Sequence, residues 1–275
     1  MLKNIALVCL LLFIPIGCTE HRDSQPMSYI SAGQRKSADI DAYTIDKLKT
    51  ILALTKAHPS LSRGAKIGLI SRQFLGAPYV AHRLIGSATT PERLVADFGA
   101  LDCFTYLDYV EALRRATSEE GFIKNLSHTR YIGGQVAFLK RKHFFSDWAY
   151  RAPALARDIT AKISPHALSV AKVLNRKSSS GSYLYGLPDV KRTVTYIPRK
   201  YVNHALLRHL RTGDYIGIYA KESGLDVTHV GIFIRTKDGP MFRNASSRKA
   251  NMKVVDSHFL AYVAHTPGIV VYRPR

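Results

Sequence analysis

Apolar residues recur at helical spacing in the first half of the chain and in short strand-like runs in the second. Ile45, Leu48, Ile51, Leu52 and Leu54 predict a helix over 45–56 that ends before Pro59. A second helix is expected over 61–75, with Ile67, Ile70, Phe74 and Leu75 as its stripe and Gly76 as its stop. A brief strand-like run covers 93–98. From Cys103 the helical period returns through Phe104, Leu107, Val110 and Leu113. That stripe ends at Arg114 and Arg115, where cations suit the negative end of the helix dipole. Residues 119–180 are mixed and partly helical, and 178–182 read as a serine-rich loop. Strands are then expected at 193–197, 214–220, 228–235, 240–244, 253–255 and 269–272, with a helix at 201–211 among them. Helices first and strands later, without a fixed-period repeat, predict one α+β domain whose N-terminal helices pack on one face of an antiparallel β-sheet.

The extreme N-terminus follows a different pattern. After Lys3, residues 5–16 form an apolar run of signal-peptide length, shorter than the roughly 20 residues that span a bilayer. Gly17-Cys18 and the polar run after it resemble a bacterial lipobox, in which Cys18 would be acylated. Pro15 stands where a lipobox usually has Leu, so ordinary signal cleavage is the alternative. Both readings export the chain to the periplasm, and acylation would anchor it to the outer membrane. The expected organisation is a signal over 1–18, a polar tether over 19–40 and one domain over 41–275.

With 46% hydrophobic residues among 275, the chain can bury a sizeable core. Lys and Arg number 40 against 20 Asp and Glu, a formal charge of +20. That excess suits an acidic partner: nucleic acid, anionic lipid or a carboxylate-rich polymer. Export sets nucleic acid aside. The three cysteines exclude a disulfide scaffold and a four-cysteine zinc site. Cys9 leaves with the signal and Cys18 sits at the processed end, so Cys103 is the thiol of the folded body.

Cys103 opens a helix, where backbone N–H groups and the dipole favour a thiolate and can hold the oxyanion of a tetrahedral intermediate. His229 follows 126 residues later, at the start of an apolar strand, and Asn244 lies fifteen further on. If those strands form a hairpin, Asn244 can orient the imidazole as the third member of a triad does. A strand-end histidine that merely satisfies a backbone carbonyl is the alternative. No H-E-x-x-H, G-x-S-x-G or P-loop pattern occurs, and His204 and His209 are badly spaced for a shared metal. No metal or cofactor is therefore expected.

Taken together, these segments resemble the NlpC-type papain-like cysteine hydrolases of bacterial cell walls, and among them the N-acetylmuramoyl-L-alanine amidase-like family. The resemblance is carried by Phe74-Leu75-Gly76-Ala77-Pro78-Tyr79-Val80, Leu101-Asp102-Cys103-Phe104-Thr105 and Arg141-Lys142-His143-Phe144-Phe145-Ser146-Asp147-Trp148. Tyr196-Ile197-Pro198, Gly224-Leu225-Asp226-Val227-Thr228-His229-Val230-Gly231 and Asn244-Ala245-Ser246-Ser247 complete it. It implies a papain-like fold with Cys103 as nucleophile, His229 as base and Asn244 where the superfamily often has His. It also implies Tyr79 near the nucleophile as an oxyanion donor, against the alternative of a core tyrosine. Asp102 and Ser246 in the same motifs are candidates for oxyanion or substrate binding. Arg141 and His143 could meet the substrate, but a charge run is usually a solvated face and an aromatic cluster is more often core. The implied substrate is peptidoglycan, cut at the lactoyl–L-Ala amide. A cut between D-Glu and the diamino acid, acyl transfer to an amine, and a non-catalytic murein- or lipid-binding role are the alternatives. Oligomeric state is not set by the sequence.

Overall fold

The structure, a computed structural model, describes residues 38–177 and 181–275. The signal, Cys18, most of the expected tether and 178–180 of the serine loop lie outside the described residues. In chain order the elements are β1 (Asp39–Ile40), α1 (Ala42–Lys56), α2 (Arg63–Arg72), β2 (Val95–Ala96), α3 (Cys103–Arg115) and α4 (Glu119–Arg130). Then come α5 (Asp147–Tyr150), β3 (Ala156–Asp158), α6 (Thr160–Ile163), β4 (Leu168–Leu174), β5 (Val190–Pro198) and α7 (His204–Leu207). The chain closes with β6 (Tyr215–Tyr219), β7 (Val227–Thr236), β8 (Gly239–Ser246), β9 (Lys253–His258), α8 (Phe259–Val263) and β10 (Gly268–Pro274).

Local chemistry sets the helix ends. Asp41 caps α1 by accepting the Thr44 N–H (2.7 Å), so the helix starts ahead of its apolar stripe. Ser62 caps α2, which stops at Arg72, short of the expected 75; a turn follows, ending at Gly76 in the left-handed region (φ +83°). The expected helix over 201–211 shortens to the single turn of α7, capped by Asn203. The run at 93–98 shrinks to β2, which pairs in parallel with β1. Asp39 and Ile40 are thus buried strand where the polar composition suggested tether. All six expected strands of the second half are present, each within a few residues of its predicted bounds. β4 is an addition, an edge strand that buries only Lys172 and Leu174.

The main sheet is antiparallel, in the order β4-β5-β10-β6-β7-β8-β9, with β3 beside β10. Helices α1 to α4 cover one face against Tyr215, Val230, Ile232, Ala245 and Val270. The expectation of helices on one face only needs correction. Ile197, Ile218, Phe233, Phe242 and Ile269 build a second core on the other face, under α7 and α8.

Helix α3 is the centre of the larger core, and every residue from Thr105 to Leu113 is buried. Two carboxylates go in with it. Asp108 accepts from Arg130 Nε (2.8 Å), and Glu111 is met by Arg114, Arg115 and the Tyr215 hydroxyl (2.6 Å). At the helix's mouth, the 76–80 segment is stitched on both sides. Gly76 N–H donates to the Val254 carbonyl and Tyr79 N–H to that of Met252 (3.0 Å), while Val80 N–H donates to that of Leu101 (3.0 Å). This segment ties the β9 edge to the residues just before Cys103.

Removing one partner of a buried ion pair leaves the other charge uncompensated. Asp108→Ala is therefore expected to cost about 3–5 kcal/mol in a urea melt, because Arg130 stays behind in the core. An unchanged urea midpoint would show that this pair does not hold α3 in place.

Candidate active site

His229 lies on β7 across from Ile218 of β6. Beyond that pair the register shifts so that Val227 faces Tyr219, which leaves Thr228 as an extra residue beside the histidine. Such a bulge bends the strand and re-aims its neighbours. Asn244 is on β8, whose register with β7 brings it opposite Gly231, two residues from His229. The hairpin expectation holds: His229 Nε2 and Asn244 Oδ1 are 2.9 Å apart.

The tautomer follows from the next bond. Asn244 is fully buried, and its Nδ2 donates to the Phe242 carbonyl (3.0 Å). A carbonyl can only accept, so the amide nitrogen must face Phe242 and its oxygen must face the imidazole. Nε2 therefore carries the proton donated to Asn244, and in the neutral ring Nδ1 is the basic nitrogen. The rings of Phe242 and Tyr262 stand 5.9 and 6.3 Å from that of His229.

Cys103 is the first residue of α3 and the one free cysteine among the described residues. It is buried in the core that contains Val230 and Ala245, the chain neighbours of His229 and Asn244. The His229 ring lies beside Phe242 and Tyr262, toward α8. Asp102 is the helix cap: its carboxylate accepts the N–H groups of Phe104 (3.0 Å) and Thr105 (2.8 Å), and Thr105 Oγ1 accepts the Asp102 N–H. This refines the expectation that free N–H groups at the helix start hold an oxyanion, since two of them are taken. The N–H of Cys103 is not among those bound by the cap. Tyr79 is buried in the stitched segment beside Leu101, two residues ahead of Cys103.

The remaining candidates have structural partners. Arg141 forks onto Glu92 (Nε to Oε1, 2.9 Å), and Lys142 is buried with Nζ on the carbonyls of His128 and Thr129. Neither side chain lies on a solvated face. Burial lowers Lys142 to about 8. His143 Nε2 donates to the Phe138 carbonyl (2.8 Å), and Phe145 and Trp148 are core. Ser246 Oγ accepts from Arg248 N–H and Asn251 Nδ2 in the turn after β8. Among the described residues no three His, Cys, Asp or Glu side chains stand together as a metal site, and no helix is long and apolar enough to cross a membrane.

Residues 69–269 match the AmiA-like family, described as N-acetylmuramoyl-L-alanine amidase-like. The chain belongs to the AmiA-like family. A Legionella pneumophila protein of 24% identity shares the fold, with TM-score 0.70 over 84% of this chain and 95% of that one. An N-acetylmuramoyl-L-alanine amidase from Bacteroides uniformis is 26% identical, with TM-score 0.64 over 78% of this chain and 99% of that one. Among curated proteins nothing matches.

The AmiA-like chain also places residues here that the sequence reading missed. Tyr262 belongs to α8, an element that was not predicted. Lys172, on the equally unpredicted β4, clamps the loop before β7 by donating to the carbonyls of Ala220 (2.6 Å), Glu222 (2.8 Å) and Leu225 (2.9 Å). Burial lowers this lysine, and the three carbonyls satisfy its donors.

His143 supplies a pH test of the AmiA-like fold. Burial pushes it down from 6.5 to about 4. The unfolded chain therefore takes up its proton first, so stability is full above about 6.5 and falls as pH drops toward about 4. Melting temperature is expected to fall more steeply across that window in the wild type than in His143→Gln. Parallel pH profiles for the two proteins would contradict the burial assignment.

Proposed function

We propose that this protein is a cysteine-dependent peptidoglycan amidase with a papain-like, NlpC-type site of Cys103, His229 and Asn244. The observation that carries the reading is the His229–Asn244 bond, whose orientation makes Nδ1 the basic nitrogen of the ring. Family membership supplies the class of bond.

His229 Nδ1 takes the Cys103 thiol proton as Sγ attacks the carbonyl carbon of the amide. The oxyanion is received by the Cys103 N–H and the Tyr79 hydroxyl. The imidazolium then gives its proton to the leaving amine, and the C–N bond breaks to leave a thioester. His229 next deprotonates a water, which attacks the thioester; the acid is released and the thiol restored. Asn244 keeps the ring in one tautomer throughout, and the charge on the imidazolium strengthens their hydrogen bond.

The lactoyl–L-Ala amide is the favoured target, because the family is described by that activity and the Bacteroides uniformis neighbour bears its name. Export and a lipid on Cys18 are part of the proposal and rest on residues 1–18 alone. The charge of +20 suits a polymer dense in peptide carboxylates.

With a soluble muropeptide, Cys103→Ala should reduce turnover to background. Asn244→Ala should lower kcat on the order of 10²-fold with little change in KM, because it disturbs an acid–base group and leaves substrate contacts intact. Full activity in Cys103→Ala would overturn the mechanism.

A further inference from the structure

Across four adjacent strands, Ile197 of β5, Ile269 of β10, Ile218 of β6 and His229 of β7 stand in one row. Just past the near ends of the first three strands is an open pocket of about 360 Å³. Arg199, Lys221, His265, Thr266 and Pro267 line it, and no carboxylate does. Among the described residues neither Arg199 nor Lys221 forms an ion pair. The Arg199 guanidinium is nevertheless held, donating to the Ala264 carbonyl (2.7 Å), and its backbone N–H donates to the carbonyl of Pro267. The same short helix serves both places. Tyr262 of α8 stands against the His229 ring, and His265, three residues on, lines the pocket.

Resting on the proposed function, we infer that Arg199, Lys221 and His265 form a carboxylate-binding subsite for the stem peptide. Neighbouring strands are about 4.8 Å apart, which sets the β10 position in the row about 10 Å from His229. An extended peptide covers roughly 3.3–3.6 Å per residue, so the pocket lies about two to three residues from the reacting carbonyl. After a lactoyl–L-Ala bond, the second residue is a D-Glu linked through its side chain, which leaves its α-carboxylate free. A guanidinium already fixed by a carbonyl and an unpaired ammonium are the donors that recognise such a group. This is a use for the basic excess at one particular place, beyond general attraction to murein.

The test is equilibrium binding of a fluorescent L-Ala-γ-D-Glu-diamino acid tripeptide to the Cys103→Ala protein, with and without Arg199→Gln and Lys221→Gln. Both side chains are exposed, and unchanged melting curves would confirm intact folding. The double substitution should weaken binding about tenfold, and amidating the D-Glu carboxylate should weaken it equally for the unsubstituted pocket but not for the substituted one. Equal affinity in all four combinations would overturn the subsite. If the wild-type enzyme cuts no peptidoglycan while carboxylate-dependent binding persists, the hydrolytic reading fails and the subsite stands.

Discussion

A helix buried from Thr105 to Leu113 that carries two carboxylates is the constraint from which this architecture follows. Helix α3 cannot sit in an apolar core unless Asp108 and Glu111 are met by cations and a hydroxyl. Arg130, Arg114, Arg115 and Tyr215 meet that need from α4, from α3 itself and from β6. Those partners fix how α4 and the sheet lie around the helix. Its N-terminus is pinned separately, by the Asp102–Thr105 capping box and by the 76–80 segment stitched to β9 and Leu101. Cys103 is thereby held at one end of a rigid rod, the fixed placement that its proposed role as nucleophile requires.

The sheet supplies the other half. His229 and Asn244 are adjacent because β7 and β8 form a hairpin, and the amide is locked by the Phe242 carbonyl of its own strand. The surroundings are apolar or stacked: Phe242 and Tyr262 flank the imidazole, and Arg248 lies 4.3 Å above the Tyr262 ring. The loop entering β7 is held by Lys172, so His229, the proposed base, is supported from both directions along the chain.

Much of this was legible in the sequence, for reasons that can be named. The α3 stripe, the six later strands and the His229–Asn244 hairpin announce themselves through period and spacing, because local burial pattern decides them. Elements whose existence depends on distant partners did not. β4 is an edge strand with few buried positions, β1 needs β2 to exist, and α8 is a single turn held by Phe233 and Phe242. Arg141 and Lys142 read as a charge run because nothing local reveals that Glu92 and the carbonyls of His128 and Thr129 wait for them. Tyr262 was invisible for the same reason: its role is a ring contact with a residue 33 positions away.

The central claim is that one thiol cuts a cell-wall amide. Mass spectrometry of purified peptidoglycan, digested by the wild-type chain beside Cys103→Ala, tests it most directly. The account predicts whole stem peptides freed from the glycan in the wild-type digest alone. Products identical in both digests, or none in either, would contradict it.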